Sequence, residues 1–393
     1  MRMTGTTVRG IRMPIFRQGD DVAAIAVEHV LLAAQSEGFE LRDRDIVGIT
    51  EAVVARAQGN YATTDQIAAD VRGKFPSGSV GVLFPIMSRN RFSMLLEGIC
   101  KGADKVIVML RYPADEVGNA LLSLDEVEAA GVNPYTDVLT EEEFTEKFGE
   151  RLHTFTKVDY VQYYKSLGDN TQIIFGNDPR QILRWTENVL AADIHTRHRT
   201  ARLLKEAGAK AVHTLSDILA EPVDGSGYNP DFGILGSNKA SDTAVKLFPR
   251  DCQKFVERTA ELFREATGKN IEVMVYGDGA FKDPVGGIWE LADPVVSPAY
   301  TKGLEGLPSE LKLKYIADHD LGALPAEEAE KILLEQIREH RVSGSNIGMQ
   351  SQGTTPRRLT DLLGSLCDLT SGSGDKGTPV VLIQGYFDHY ADR

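Results

Sequence analysis

Three cysteines in 393 residues, Cys100, Cys252 and Cys367, are few, far apart and odd in number. They lack the close pairs of a structural zinc site and form no disulfide framework, so a reducing, cytoplasmic setting is expected. No apolar run approaches the roughly 20 residues that cross a bilayer. The arginine-bearing stretch from Met1 to Pro14 has no apolar segment after it, so no secretory leader is expected. Basic charge is short as well: 43 Lys and Arg stand against 57 Asp and Glu, a net charge of -14. That balance repels nucleic acid and anionic lipid, which excludes both as expected partners. A phosphate-bearing ligand must then meet local cations or a metal. No G-x-G-x-x-G fingerprint follows an apolar run, and no repeat of fixed period is evident.

What is present is an ordinary core-forming composition, 42% hydrophobic and 25% charged. The length suggests two domains or one elaborated domain. Asp20 or Asp21 caps a helix that ends at Gly38. Asp45 to Thr50 reads as a buried strand, continued by Glu51 to Ala57, and Thr64 to Val71 as a helix. Val80 to Ile86, a helix from Phe92 to Gly102, and Lys105 to Leu110 make a strand–helix–strand crossover, so the sheet should be parallel or mixed. Ser123 with Glu126 and Thr140 with Glu143 are capping boxes that open two short helices. Thr154 to Tyr164 alternates aromatic and polar residues, as a half-exposed strand does. Thr171 to Phe175 reads as a strand and Asn177 to Leu190 as a turn and helix. Thr196 to Ala207 is expected to be helical, and Glu221 to Pro230 a loop at a domain edge. Pro249 starts a helix with Phe255, Thr259, Leu262, Phe263 and Ala266 on one stripe, and Ile271 to Tyr276 is its partner strand. Helices at about 309–317, 325–340 and 356–369 and a last strand from Pro379 to Gln384 close the chain.

The stretch from Gly233 to Pro284 holds the richest chemistry. Asp278 and Asp283 share a glycine-containing turn after a strand, where carboxylates can hold a divalent ion; a solvated turn has the same composition. Ser237 and Asn238, read as following a strand, offer a hydroxyl, an amide and backbone donors to a phosphate, or simply a polar turn. Arg89 and Arg91 flank Asn90 just past a strand and suit a carboxylate or phosphate. Gly372 to Thr378 is a near miss of a phosphate loop, with its Lys misplaced and a strand following. His195, His198 and the Asp318/His319/Asp320 cluster fit surface positions better than metal ligation. From residue patterns alone the reading stops at an α/β protein with candidate anion and metal sites.

Several motifs together resemble one family, the coenzyme F420-0:L-glutamate ligases (gamma-glutamyl ligases). Gly19 to Ala23 resembles that family's G-D-D-L/V-A start, and Asp45 to Gly59 its D-I-V-V-I-T-S-K-V-V-S-K-A-E-G segment. Gly233 to Asn238 is similar to G-I-D-x-S-N, Leu247 to Asp251 to L-L-P-x-D, and Val275 to Pro284 to S-D-T-F-G-R-P. The resemblance covers about the first 60 residues and 230–290. It implies an α/β fold with a mixed sheet, distinct from the Rossmann fold. It divides the chain into a ligase-like core of 1–72 and 230–300, a large inserted α/β region of 73–229, and a mainly helical region of 301–393. The implied activity is amide bond formation between L-glutamate and a carboxylate acceptor through an acyl phosphate. GTP would be the phosphate donor, with Mg2+ or Mn2+, and with K+ as a further ion. Small-molecule substrates and a homodimer are the implied partners. Asp278 and Asp283 would then bind metal, while Thr50, Arg56, Arg89, Arg91, Ser237 and Asn238 would line the nucleotide and substrate wall. The chain departs from the family at Leu235, where an Asp is expected, and at Glu51-Ala52, where Ser-Lys is expected; Arg56 stands for a Lys. Asp231, Asp242 or Asp283 is a candidate for the lost ligand. A folate-type glutamyl ligase and a non-catalytic binding protein of the same fold are the alternatives.

Overall fold

The computed structural model describes residues 4–154, 156–278, 293–307, 324–343, 358–372 and 374–388. Asp283, Asp318 to Asp320 and the helix expected at 309–317 lie outside the described residues.

Two sheets carry the fold, and a third, small one joins them. The first has the order β1-β14-β2-β12-β13. Its strands are β1 (Thr7–Ile11), β2 (Ile46–Thr50), β12 (Glu272–Tyr276), β13 (Ala299–Tyr300) and β14 (Val380–Gln384). β2 and β12 are parallel, while β14 runs antiparallel to both β1 and β2. The central strands are apolar on both faces because helices cover both. Val47, Ile49, Val273, Val275, Val380 and Leu382 meet α1 (Val22–Glu37) and α9 (Cys252–Thr267). Ile46, Met274, Tyr276, Val381 and Ile383 meet the helix Leu359–Ser371. Gly48 is required by that second packing: a Cβ there would lie 2.4 Å from the Cys367 sulfur.

The second sheet has the order β6-β7-β5-β4-β8-β9. β4 (Ser79–Leu83), β5 (Lys105–Leu110), β7 (Thr171–Phe175), β8 (Asn188–Ala191) and β9 (Ala211–Thr214) are mutually parallel, and only β6 (Leu139–Thr140) opposes them. The chain winds outward from β4 to β5 and β7, then returns to the other side of β4 for β8 and β9. This is a doubly wound arrangement. α3 (Thr64–Lys74) and α4 (Phe92–Gly102) cover one face; Ile182 and Leu204 cover the other. The small sheet, β10 (Asn238–Lys239), β11 (Ala244–Lys246) and β3 (Tyr61–Thr63), shares the core of α3 and α4.

Local signals formed as read. Asp21 caps α1, Gly38 ends it in a left-handed conformation, and both expected capping boxes are present, at α5 (Leu124–Ala129) and α6 (Glu141–Phe148). Four local readings fail. Glu51 to Ala57, read as continuing the strand, is a helix capped by Thr50. The aromatic run near Tyr160 is a helix, α7 (Tyr160–Lys165), whose Tyr160 and Tyr164 lie one helical turn apart in the core. The helix expected up to Leu190 is only a 3-10 turn, Pro179–Arg184, before β8 takes the segment into the sheet. Ser237 follows turns rather than a strand, and Asn238 begins β10. Two long helices close the chain, α10 (Ala326–Ser343) and α11 (Leu359–Ser371), and β14 ends in the middle of the first sheet. No helix among the described residues is long and apolar enough to cross a membrane.

Candidate functional site

The first sheet presents the carboxyl ends of its parallel pair side by side, with Thr50 opposite Tyr276 in register. Both strands stop there for local reasons. The Thr50 hydroxyl accepts from Ala52 N–H and caps α2 (Glu51–Ala57), while β12 gives way to Gly277 and Asp278. Glu51 is thereby held at the rim, 6% exposed. Its Oε1 lies 3.1 Å from Lys246 Nζ of β11. Burial pushes the Glu51 carboxyl above its usual range; Lys246 pulls it back and Asp293 raises it again.

Arg91 enters from the second sheet, on the loop between β4 and α4. Ser88 shapes that loop by accepting from Asn90 and Arg91 N–H, and the Asn90 carbonyl accepts from Lys239 N–H of β10 at 2.6 Å. The Arg91 guanidinium spans two carboxylates, donating to Asp278 Oδ2 through Nη2 and to Asp293 Oδ1 through Nη1 at 2.8 Å. Asp293 Oδ2 also accepts from Asp278 N–H at 2.7 Å. Gly277 permits this approach, since a Cβ there would fall 2.3 Å from Asp293 Oδ2. Burial alone would lower the Arg91 pKa, but Asp293 and Asp278 outweigh it and hold the group firmly charged. Gly236 packs on Pro294 and brings Ser237 to the same rim. Two buried polar atoms here lack a hydrogen-bond partner among the described residues, Ser237 Oγ and Glu51 Oε2. Orphans of this kind take a water, an ion or a ligand atom.

Of the residues expected from sequence, Thr50, Arg91, Ser237, Asn238 and Asp278 converge on this rim; Asn238 is paired with Lys246 across β10 and β11. Arg56 and Arg89 do not. Both are exposed, and neither side chain makes a hydrogen bond or ion pair among the described residues. Leu235 is buried in the core at 1% exposed, Asp231 is exposed, and Asp242 pairs with Lys239 on the surface. The carboxylate that joins Asp278 is Asp293, which sequence reading missed along with Lys246. Neither belongs to a local pattern; Asp293 is 15 residues from Asp278 and reaches it only through the fold.

Asp278 and Asp293 supply hard oxygen donors, the chemistry a Mg2+ or Mn2+ ion prefers, and they converge on one cation position. That position is filled by the Arg91 guanidinium, and no group of three His, Cys, Asp or Glu spaced for a metal occurs among the described residues. The donor set therefore fits a divalent ion as one half of a site.

Fold and site together define an α/β protein in which fixed cations and carboxylates gather where a mixed sheet meets a doubly wound sheet. The profile of the F420-0:Gamma-glutamyl ligase family matches residues 10–385, and the chain belongs to that family. No curated protein matches it.

Proposed function

We propose that this chain is a nucleotide- and metal-dependent gamma-glutamyl ligase that joins L-glutamate to a carboxylate acceptor through an acyl phosphate. The observation that carries the reading is the cleft itself. Arg91, Lys246, Glu51, Asp278 and Asp293 converge at the carboxyl ends of β2 and β12, with two polar atoms that have no partner among the described residues. Two anionic reactants repel in water, and fixed cations in a partly buried cleft offset that repulsion before the reaction begins.

In the first step an acceptor carboxylate oxygen attacks the terminal phosphorus of GTP, and GDP leaves. In the second the glutamate amine attacks the acyl carbon, and phosphate leaves. Asp278 and Asp293 would hold a divalent ion once Arg91 turns from them to the substrate, and such an ion would supply positive charge against the phosphoryl oxygens. Arg91 and Lys246 hold the acceptor carboxylate and phosphate oxygens. Glu51 Oε2 takes the proton that the glutamate ammonium must lose to become a nucleophile; burial makes that carboxyl a better base than an exposed one. Ser237 Oγ donates to a substrate oxygen. The homodimer expected from the resemblance fits β1, whose outer edge has no strand partner among the described residues.

The test is phosphate release from GTP or ATP with Mn2+, L-glutamate and a panel of carboxylate acceptors that includes deazaflavin- and folate-type acids. Release that needs both glutamate and an acceptor supports the ligase. Mn2+ and GTP binding by calorimetry with no release for any acceptor supports the non-catalytic reading, which Leu235 and the Arg91-filled cation position favour.

A further inference from the structure

A second site is built into the doubly wound sheet, away from the ligase cleft. Strand order reverses between β4 and β8, and the crevice outside the carboxyl ends of such a pair is where open α/β sheets take ligands. Helix α8 (Arg197–Glu206) starts in front of that crevice. Its first turn is unlike those of α5 and α6, which carry acids and side-chain caps. α8 has no acid there and no side-chain cap; Arg197, His198 and Arg199 occupy the turn instead. Cations at a helix N-terminus oppose the helix dipole, and a chain of net charge -14 has no surplus of them to misplace. A local rule broken this way is expected where a ligand restores the balance, here an anion.

Two buried atoms at the start of the helix add to the case. Asp193, just after β8, is 0% exposed. Its Oδ2 accepts from the Thr196 and Thr200 hydroxyls, the latter at 3.0 Å, while Oδ1 has no partner among the described residues. Arg197 donates to the Ile194 carbonyl through Nη1, yet its Nε is buried and without a partner among them. Asp193 acts electrostatically on both Arg197 and Glu116, the latter on the loop after β5. There Arg111 lies 4.1 Å over the Phe84 ring and pairs with Glu116 at 2.6 Å. Phe84, just past β4, supplies an apolar wall.

A bare phosphate satisfies only half of this. Arg197 Nε and the α8 amides ask for an acceptor-rich anion, whereas Asp193 Oδ1 asks for a donor. We propose that the crevice between β4 and β8 binds a small phosphate monoester that carries sugar hydroxyls, its phosphate at the α8 N-terminus and a hydroxyl donating to Asp193. This goes beyond the ligase reading and does not depend on it.

Calorimetry on the full chain with ribose 5-phosphate, inorganic phosphate and ribose tests the proposal. Ribose 5-phosphate is expected to bind tightest and ribose not at all. His198 and Arg199 are exposed, so the double variant His198→Ala/Arg199→Ala keeps the fold; Arg199 also faces Asp178, which Arg180 already pairs. This variant should weaken ribose 5-phosphate at least tenfold, and Arg91→Ala should leave it unchanged. Asp193→Asn, of the same shape, should bring ribose 5-phosphate down to the affinity of inorganic phosphate. No ribose 5-phosphate binding at millimolar concentration overturns the proposal. So does equal affinity for inorganic phosphate in the wild type, or loss through Arg91→Ala with the double variant unaffected, which would place the phosphate in the ligase cleft.

Discussion

Replacing Arg91 by Met keeps most of the side chain's length and removes its charge. In the native chain the Arg91 side chain is 15% exposed and bridges Asp278 at 35% and Asp293 at 3%. Asp278 can rehydrate when the guanidinium goes, so its half of the bridge is worth about 0–1 kcal/mol. Asp293 cannot rehydrate. It keeps one backbone donor, Asp278 N–H, but its Oδ1 loses the only cation that contacts it among the described residues. Stranding one partner of a buried pair costs about 3–5 kcal/mol, and the remaining N–H bond brings the estimate to about 3 kcal/mol at pH 7. Urea unfolding followed by circular dichroism reads that loss directly. Arg91→Lys, whose ammonium reaches one carboxylate but not both, should lose about half as much. With Arg91 gone, the Asp278–Asp293 pair is open to a divalent ion, and Mn2+ at about 100 times its Kd should return about 2.7 kcal/mol to the variant. A change below about 0.5 kcal/mol for Arg91→Met at pH 7 would show that the bridge is a surface pair and refute the cleft as described.

Glu51→Gln should lower kcat by roughly 100-fold or more and change KM little, as expected for loss of a proton acceptor, measured by initial-rate phosphate release. Gly48→Ala should cost about 1–3 kcal/mol by driving a methyl group into the Cys367 sulfur, and Gly48→Ala/Cys367→Ala should cost less than the sum of the single changes in urea unfolding. Burial raises Glu116 to about 7, with Arg111 opposing and Asp193 and Asp115 adding to the rise. A carboxyl raised in the folded state binds its proton there first, so stability falls as pH climbs from the unfolded value near 4.5 to about 7. Glu116→Gln should flatten that slope and stabilise the chain at pH 8 by up to roughly 3 kcal/mol, less the lost Arg111 pair. Asp115→Ala should cost about 3 kcal/mol or more, because Asp115 is buried and accepts from Val117 N–H, from Asn119 N–H and Nδ2, and pairs with His153 Nε2 at 3.1 Å.

What the sequence determined by itself is whatever acts over a few residues. Ser123 with Glu126 and Thr140 with Glu143 sit three apart, so their caps are legible and they form. The Asp21 cap and the Gly38 stop follow from the same short range, as do the apolar runs of β2, β5 and β12. Asn188 to Ala191 was misread because four apolar-leaning residues fit a helix end and a buried strand equally; only its place between β4 and β9 makes it a strand. The aromatic run at Tyr160 failed likewise, since alternation and helical spacing overlap over so few residues. In the cleft, Asp278 is readable as a carboxylate on a turn after an apolar strand, whereas Thr50 enters only through the family resemblance. The pairs that complete it join Arg91 to Asp293 across 202 positions and Lys246 to Glu51 across 195. No sequence period encodes contacts at that separation. They exist because two sheets built from distant segments close on each other, and burial then makes unpaired charge too costly to leave there.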